Sequence, residues 1–178
     1  MYWRLYGMEF LTKDFLKKIA NNNEGRHWST WEKRWRYFGK TVELVKTLGI
    51  DDPSKVLEMG TMGATIVLEC DTIDYTKKWN FKGKNPTYIH DARKTPWPVE
   101  DKKYELFIAL RVFQHLSPVQ KECFLEAKRI SKSVLIVVPE SYRKDTGIPV
   151  SRFIEWNNGK KPDICKKLYG STHLLFWE

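Results

Sequence analysis

From Val56 to Pro139 the chain is built of short apolar runs separated by polar or helix-patterned stretches. Val56–Met59 reads as a buried strand, and Thr65–Leu68 leads into a second apolar segment that ends near Ile73. Thr87–Ile89 and Glu105–Leu110 read as a third and a fourth strand. Ser133–Pro139, SVLIVVP, is the most continuous apolar run, as expected of a central strand covered on both faces. Between the last two, SPVQKECFLEAKRI predicts a helix with Ser117 as N-cap and Pro118 at its first position. A helix over Ser151–Asn157 and a strand over Thr172–Trp177 close the chain. Strands alternating with helices predict an α/β fold, a three-layer sandwich with a mainly parallel sheet and an antiparallel C-terminal strand.

Residues 1–54 have a different texture and are expected to form a helical cap segment beside an α/β domain over 55–178, the two making one compact unit. A first helix is predicted from Thr12 to Ala20, broken by the turn-forming Asn21-Asn22-Asn23-Glu24-Gly25. A second runs through HWSTWEKRWRYFGKTVELVKTLGI, with Ser29 and Glu32 spaced as a capping box and Trp28 placed as a staple. Trp31, Trp35, Phe38, Val42, Val45 and Leu48 recur at steps of three or four and give it one apolar face. Lys33, Arg34, Arg36 and Lys40 fall largely off that stripe. They read either as a solvated rim or, interleaved with aromatics, as a surface for bases or sugars.

The formal charge of +9 sits mostly on the flanks. Residues 1–55 carry 11 Lys/Arg against 7 Asp/Glu and residues 141–178 carry 7 against 4, while the middle is nearly balanced at 13 against 11. Such a basic rim can recruit an anionic partner. No apolar run approaches the ~20 residues of a bilayer span, so no membrane association is expected. MYWRLYGMEF lacks the apolar core of a secretory signal, which sets the expected location as cytoplasmic. Cys70, Cys123 and Cys165 are widely spaced and odd in number, which favours reduced thiols over a disulfide or a metal site.

In open α/β sheets ligands bind beyond the carboxyl ends of the strands, so the residues after each run are the ones to examine. Glu58, Gly60, Thr61 and Gly63 follow the first, with glycines that permit a sharp turn and close backbone approach. No Gly-Lys-Ser/Thr follows, which argues against a triphosphate loop. Asp74 closes the second run and can accept hydrogen bonds from ribose hydroxyls, with Asp71 as the competing acid. Asp91 and Ala92 follow the third, pairing a carboxylate for an exocyclic amine with a backbone N–H for a ring nitrogen. Leu110 to Leu116, LRVFQHL, follows the fourth and offers apolar cover for a ring.

VLEMGTMG, TIDY, YIHDARKTPWPVEDKKYELFIALRVFQHL and VLIVVP, in this order, resemble the motifs of class I S-adenosylmethionine-dependent methyltransferases. The resemblance covers roughly Val56 to Pro139 and implies a Rossmann-like sheet with S-adenosylmethionine as cofactor. It places Glu58 and Gly60 by the methionine moiety, with Thr61 beside them, and has Gly63 shape the loop. Asp74 then holds the ribose, Asp91 with Ala92 the adenine, and Leu110 with Arg111 the pocket wall. One departure stands out: only Ala64 to Ile73 separate Gly63 from Asp74, so the helix usual at this point is very short or absent. For a hydroxyl acceptor His115 is the candidate base, with Glu140 and Tyr142 on the expected acceptor side. His27, His90 and His173 show no metal-ligand spacing. No Asn/Asp-Pro-Pro-Tyr/Phe tetrapeptide and no cytosine-type cysteine motif is present. That argues against the adenine-N6 and cytosine-C5 DNA-modifying classes. With no separate nucleic-acid-binding domain read from the sequence, the expected acceptor is a small molecule or a glycan, RNA staying open on account of the basic flanks. A non-catalytic module that kept the sheet and lost the cofactor is the rival reading.

Overall fold

A computed structural model describes residues 7–22, 31–77, 85–141 and 147–178. Among the described residues, seven strands form one sheet in the order β3-β2-β1-β4-β5-β7-β6. They are β1 (Val56–Met59), β2 (Asp71–Asp74), β3 (Tyr88–Ile89), β4 (Tyr104–Leu110), β5 (Ser131–Pro139), β6 (Ile164–Tyr169) and β7 (Thr172–Trp177). The first five are parallel, whereas β7 runs antiparallel to β5 and β6 antiparallel to β7. The mainly parallel sheet with an antiparallel close thus matches the sequence pattern, with one addition. The sequence showed no sign of β6, whose ICKKLY is largely exposed and pairs only with β7. An edge strand that faces water needs no apolar run, and lysines suit it.

Among the described residues, four α-helices cover the two faces: α1 (Lys13–Asn22), α2 (Trp31–Val45), α3 (Gln120–Ile130) and α4 (Val150–Trp156). Side chains alternate along each strand, so the sheet feeds two cores. Leu57, Phe107, Ile136 and Val138 meet Phe124, Ala127 and Phe153 of α3 and α4. Val56, Leu106, Ile108, Leu135 and Val137 meet Leu16 and Ile19 of α1 and Phe38, Val42 and Val45 of α2. The N-terminal helices therefore share a core with the sheet and form its second outer layer.

Local signals explain the helix ends. Thr12 Oγ1 accepts the Phe15 N–H at 3.1 Å and caps α1. The capping box and staple expected at α2 rest on Ser29 and Trp28, which lie outside the described residues. Helix α3 departs from the expectation: it starts at Gln120, and its N-cap Val119 makes no side-chain cap bond. Ser117 and Pro118 instead sit in a turn closed by the Val119 N–H on Leu116 O at 3.0 Å. A turn at this point continues the short 3₁₀ segment Phe113–His115, and the helix cannot begin until the chain has left it.

Candidate functional site

Parallel strands β1 and β4 lie side by side where the order reverses, and their chains leave the carboxyl edge in opposite directions. A crevice opens at such a point. Here it is a cleft of about 1160 Å³. Of the residues proposed from sequence, Gly60, Asp74, Asp91, Ala92, Leu110, Arg111 and His115 all line it. Two of its linings stand in left-handed backbone without being glycine, Met62 at φ 52° and Arg111 at φ 59°. Such strain concentrates at ligand sites. Gly60 has φ +63°, and a Cβ there would come within 2.8 Å of Val112 Cγ2, so both conformation and space call for glycine.

Asp74 ends β2 at the cleft and is 8% exposed. Burial raises its pKa, and backbone hydrogen bonds from Tyr75, Thr76 and Met62 partly offset that. Those bonds tie the β2 end to the glycine turn and leave about one of the carboxylate's roughly four lone-pair sites for a ribose hydroxyl. Asp71 starts β2 instead, and accepts the Tyr104 hydroxyl at 2.6 Å and the Thr87 hydroxyl at 3.1 Å. Only Asp74 of the two lines the cleft. Asp91 is held bidentately by Arg93, with Nε to Oδ1 at 3.0 Å and Nη2 to Oδ2 at 2.9 Å. Hydrogen bonding from Arg93 keeps the Asp91 pKa below the usual carboxylate value, so this acid stays ionised.

Glu58, Thr61 and Gly63 are not among the cleft residues. Strand alternation turns Glu58 away, and its carboxylate accepts Val67 N–H at 2.7 Å and Ile66 N–H at 3.0 Å. Burial pushes its pKa up to about 7, against those two bonds and a contact with Cys70. No helix links β1 to β2; residues 61–70 form an irregular loop strapped to this buried acid. Thr61 and Gly63 lie on a neighbouring groove of about 540 Å³ that also meets Asp71 and Asp74. Glu140 lies elsewhere, 3.6 Å from His173 Nδ1, and Tyr142 and His27 fall outside the described residues.

Among the cleft residues that the sequence did not single out are Gln114, Tyr37 and Tyr169. Gln114 is 2% exposed. Its Nε2 donates to Arg111 O at 2.6 Å and lies 3.2 Å from His115 Nε2, while its Oε1 is buried with no hydrogen-bond partner. A buried acceptor left unpaired at a cleft wall is suited to a ligand donor. Tyr37 and Tyr169 complete the far wall, with ring centroids 6.4 Å apart. The Tyr169 hydroxyl accepts Arg111 Nη1 at 3.0 Å. Tyr37 stands one turn beyond Arg34 on α2 and hydrogen-bonds to it, and burial raises the pKa of its hydroxyl.

The sheet order and the cleft at its reversal are those of the class I S-adenosylmethionine-dependent methyltransferase fold. A SAM-dependent methyltransferase of Aquifex aeolicus superposes with a TM-score of 0.61 at 15% identity, over 93% of this chain and 97% of that one. A protein of Pyrococcus horikoshii OT3 gives 0.64 at 14% identity, over 84% and 91%. The magnesium protoporphyrin IX methyltransferase of Synechocystis PCC 6803, solved with bound SAM, gives 0.55 at 12% identity, over 92% and 88%. No protein-family model and no curated protein matches the sequence.

Proposed function

We propose that this chain is an S-adenosylmethionine-dependent methyltransferase acting on a small-molecule or sugar acceptor, with α2 contributing Lys33, Arg34, Arg36 and Tyr37 to the lining of the site. The observation that carries the reading is the meeting of Gly60, Asp74, Asp91, Ala92 and Leu110 at one strand-order reversal. The donor set fits the cofactor: an acid for ribose, an acid and an N–H for adenine, apolar cover, and the unpaired Gln114 Oε1 for a donor. When bound, the cofactor supplies an activated methyl on a sulfonium.

The protein's own contribution is placement and exclusion of water. Asp74 fixes the ribose, and Asp91 with the Ala92 N–H orients the base. Leu110 and Leu116 cover the ring. Proton removal from a hydroxyl acceptor falls to His115 Nε2. That atom faces the Gln114 amide at 3.2 Å, a long contact that must yield as the proton moves.

Calorimetric titration with S-adenosylmethionine tests this. The native chain is expected to bind, and Asp91→Ala and Asp74→Asn to bind about ten- to a hundredfold more weakly, in line with ~1.5–3 kcal/mol for a charged hydrogen bond. Asp71→Asn should match the native affinity. No binding by the native chain at millimolar cofactor sinks the enzyme reading. One observation favours a non-catalytic module instead: the strapped loop keeps Thr61 and Gly63 off the cleft. That module predicts no binding in the same titration.

A further inference from the structure

Strand order lays out the proposed cofactor's parts in a row. β3, β2, β1 and β4 are neighbours in that order, about 4.8 Å apart. Asp91, Asp74, Gly60 and Leu110 stand at or just beyond their carboxyl ends, and all four line the cleft. With the base at β3 and the ribose at β2, the methionine end runs past Gly60 towards β4. That end carries an ammonium, a group with three donors and no acceptor. The sequence offered Glu58 for this place, but its carboxylate faces the other side of the sheet and holds the Ile66 and Val67 N–H groups at 3.0 and 2.7 Å. Among the described residues, the carboxylates of the cleft are Asp74 and Asp91, both on the ribose and adenine side. The ammonium needs an acceptor on the β4 side.

The turn after β4 supplies one. Arg111 follows Leu110 in left-handed backbone at φ 59°, with its N–H on Val137 O at 2.7 Å. The Gln114 side chain closes the turn, Nε2 donating to Arg111 O at 2.6 Å. Its other proton is left for His115 Nε2, 3.2 Å away, so both donors of the amide are engaged. Flipping the amide would set Oε1 against Arg111 O, acceptor against acceptor, which fixes its orientation. The backbone donors of the same turn are spent on other carbonyls, His115 N–H on Val112 O at 2.8 Å and Leu116 N–H on Phe113 O at 3.1 Å. Oε1 therefore stays without a hydrogen-bond partner on a cleft residue that is 2% exposed. A buried carbonyl left unpaired is costly. This corner of the amide is acceptor only, so it takes a donor and rejects a carboxylate.

Resting on the methyltransferase reading, we propose that Gln114 is the specificity residue for the cofactor's methionine end, its Oε1 accepting a hydrogen bond from the α-ammonium. A neutral amide on the loop after β4 thus takes the part that the sequence offered to an acid on β1.

Gln114 and Gln120 are the two glutamines of the chain, so carbon-13 at the glutamine side-chain carbonyl gives two signals, and Gln120→Met assigns them. The native chain is titrated with S-adenosylhomocysteine and with the same molecule lacking its α-amino group. The Gln114 signal is expected to move downfield with the first ligand, as a carbonyl does on accepting a hydrogen bond, and clearly less with the second. In calorimetry Gln114→Leu should weaken S-adenosylhomocysteine about tenfold, or ~1.4 kcal/mol. The same variant should bind the deaminated ligand within about twofold of the native chain. Equal loss on the two ligands, or none on either, overturns the proposal, because the amide then serves the turn and not the ammonium. A carbonyl signal that stays in place with S-adenosylhomocysteine, or moves equally with both ligands, overturns it as well. Should Gln114→Leu fail to fold, the signal of the native chain decides alone. Failure of the native chain to give heat with S-adenosylhomocysteine at millimolar concentration is a different result, sinking the methyltransferase reading itself.

Discussion

From β1 to β2 the chain crosses over without a helix, whereas from β4 to β5 it crosses through α3, and the two stretches are held by different forces. The second crossover is apolar. Cys123, Phe124, Ala127 and Ile130 of α3 are fully buried, and Phe124 packs edge-on to Phe153 and Trp177 at centroid distances of 5.4 and 5.2 Å. The first is polar at its anchor: Glu58 takes two loop amides, while Ala64, Ile66 and Val67 close over it. An apolar anchor spreads its contribution over many contacts. A buried acid concentrates it in two bonds and carries a desolvation cost. Each crossover reaches the cleft only through its first residues, Gly60 and Met62 in one and Arg111 to Leu116 in the other, with its anchor set back from the site.

The largest expected effect is on the packed side. Phe124→Ala should lower unfolding free energy by about 3–5 kcal/mol, read by urea denaturation, with exchange at the Ile66 and Val67 amides tracking global unfolding. On the strapped side, Glu58→Ala leaves two buried amides unpaired and should cost about 2–4 kcal/mol. Hydrogen exchange at Ile66 and Val67 should then accelerate more than exchange within α3. Equal acceleration in both places would erase the contrast.

The strap also has a pH signature. The Glu58 pKa goes up on folding, from 4.5 to about 7, so between those values the folded state holds more protons than the unfolded one. Stability contributed by this group is full below pH 4.5 and is lost as pH rises through about 7, by on the order of 3 kcal/mol. Asp91 and Glu126 have lowered values and act in the opposite sense at lower pH. The informative quantity is therefore the native chain minus Glu58→Gln, followed by urea denaturation across that window. A flat difference would mean that water reaches the acid. The smallest effect is expected for Gly60→Ala. Its left-handed backbone and the approach to Val112 set a cost of about 1–2 kcal/mol, with a parallel drop in cofactor affinity.

What the sequence disclosed follows the same division. Strands such as Ser133–Pro139 and Glu105–Leu110 were legible because burial on both faces writes a continuous apolar run. β6 was not, since an exposed edge strand carries no such run. Asp74, Asp91, Ala92 and Leu110 were legible because strand ends are positions along the chain. The direction of Glu58 was available in principle, since alternation from Leu57 turns it to the other face. Its amide partners were not, because eight and nine residues of irregular loop separate them from it. Tyr37 and Tyr169 meet only through the packing of α2 on β6, a contact between distant segments that no local pattern records.

The unequal ends of the sheet bear on how copies of this chain meet. β3 is two residues long and offers little template to an incoming strand. At the other end Lys166 and Lys167 stand exposed on β6, so an approaching backbone would have to settle among ammonium groups. Growth of the sheet from molecule to molecule is thus disfavoured at both margins, by brevity at one and by charge at the other. The strand that left no trace in the apolar pattern is the one that guards the longer margin.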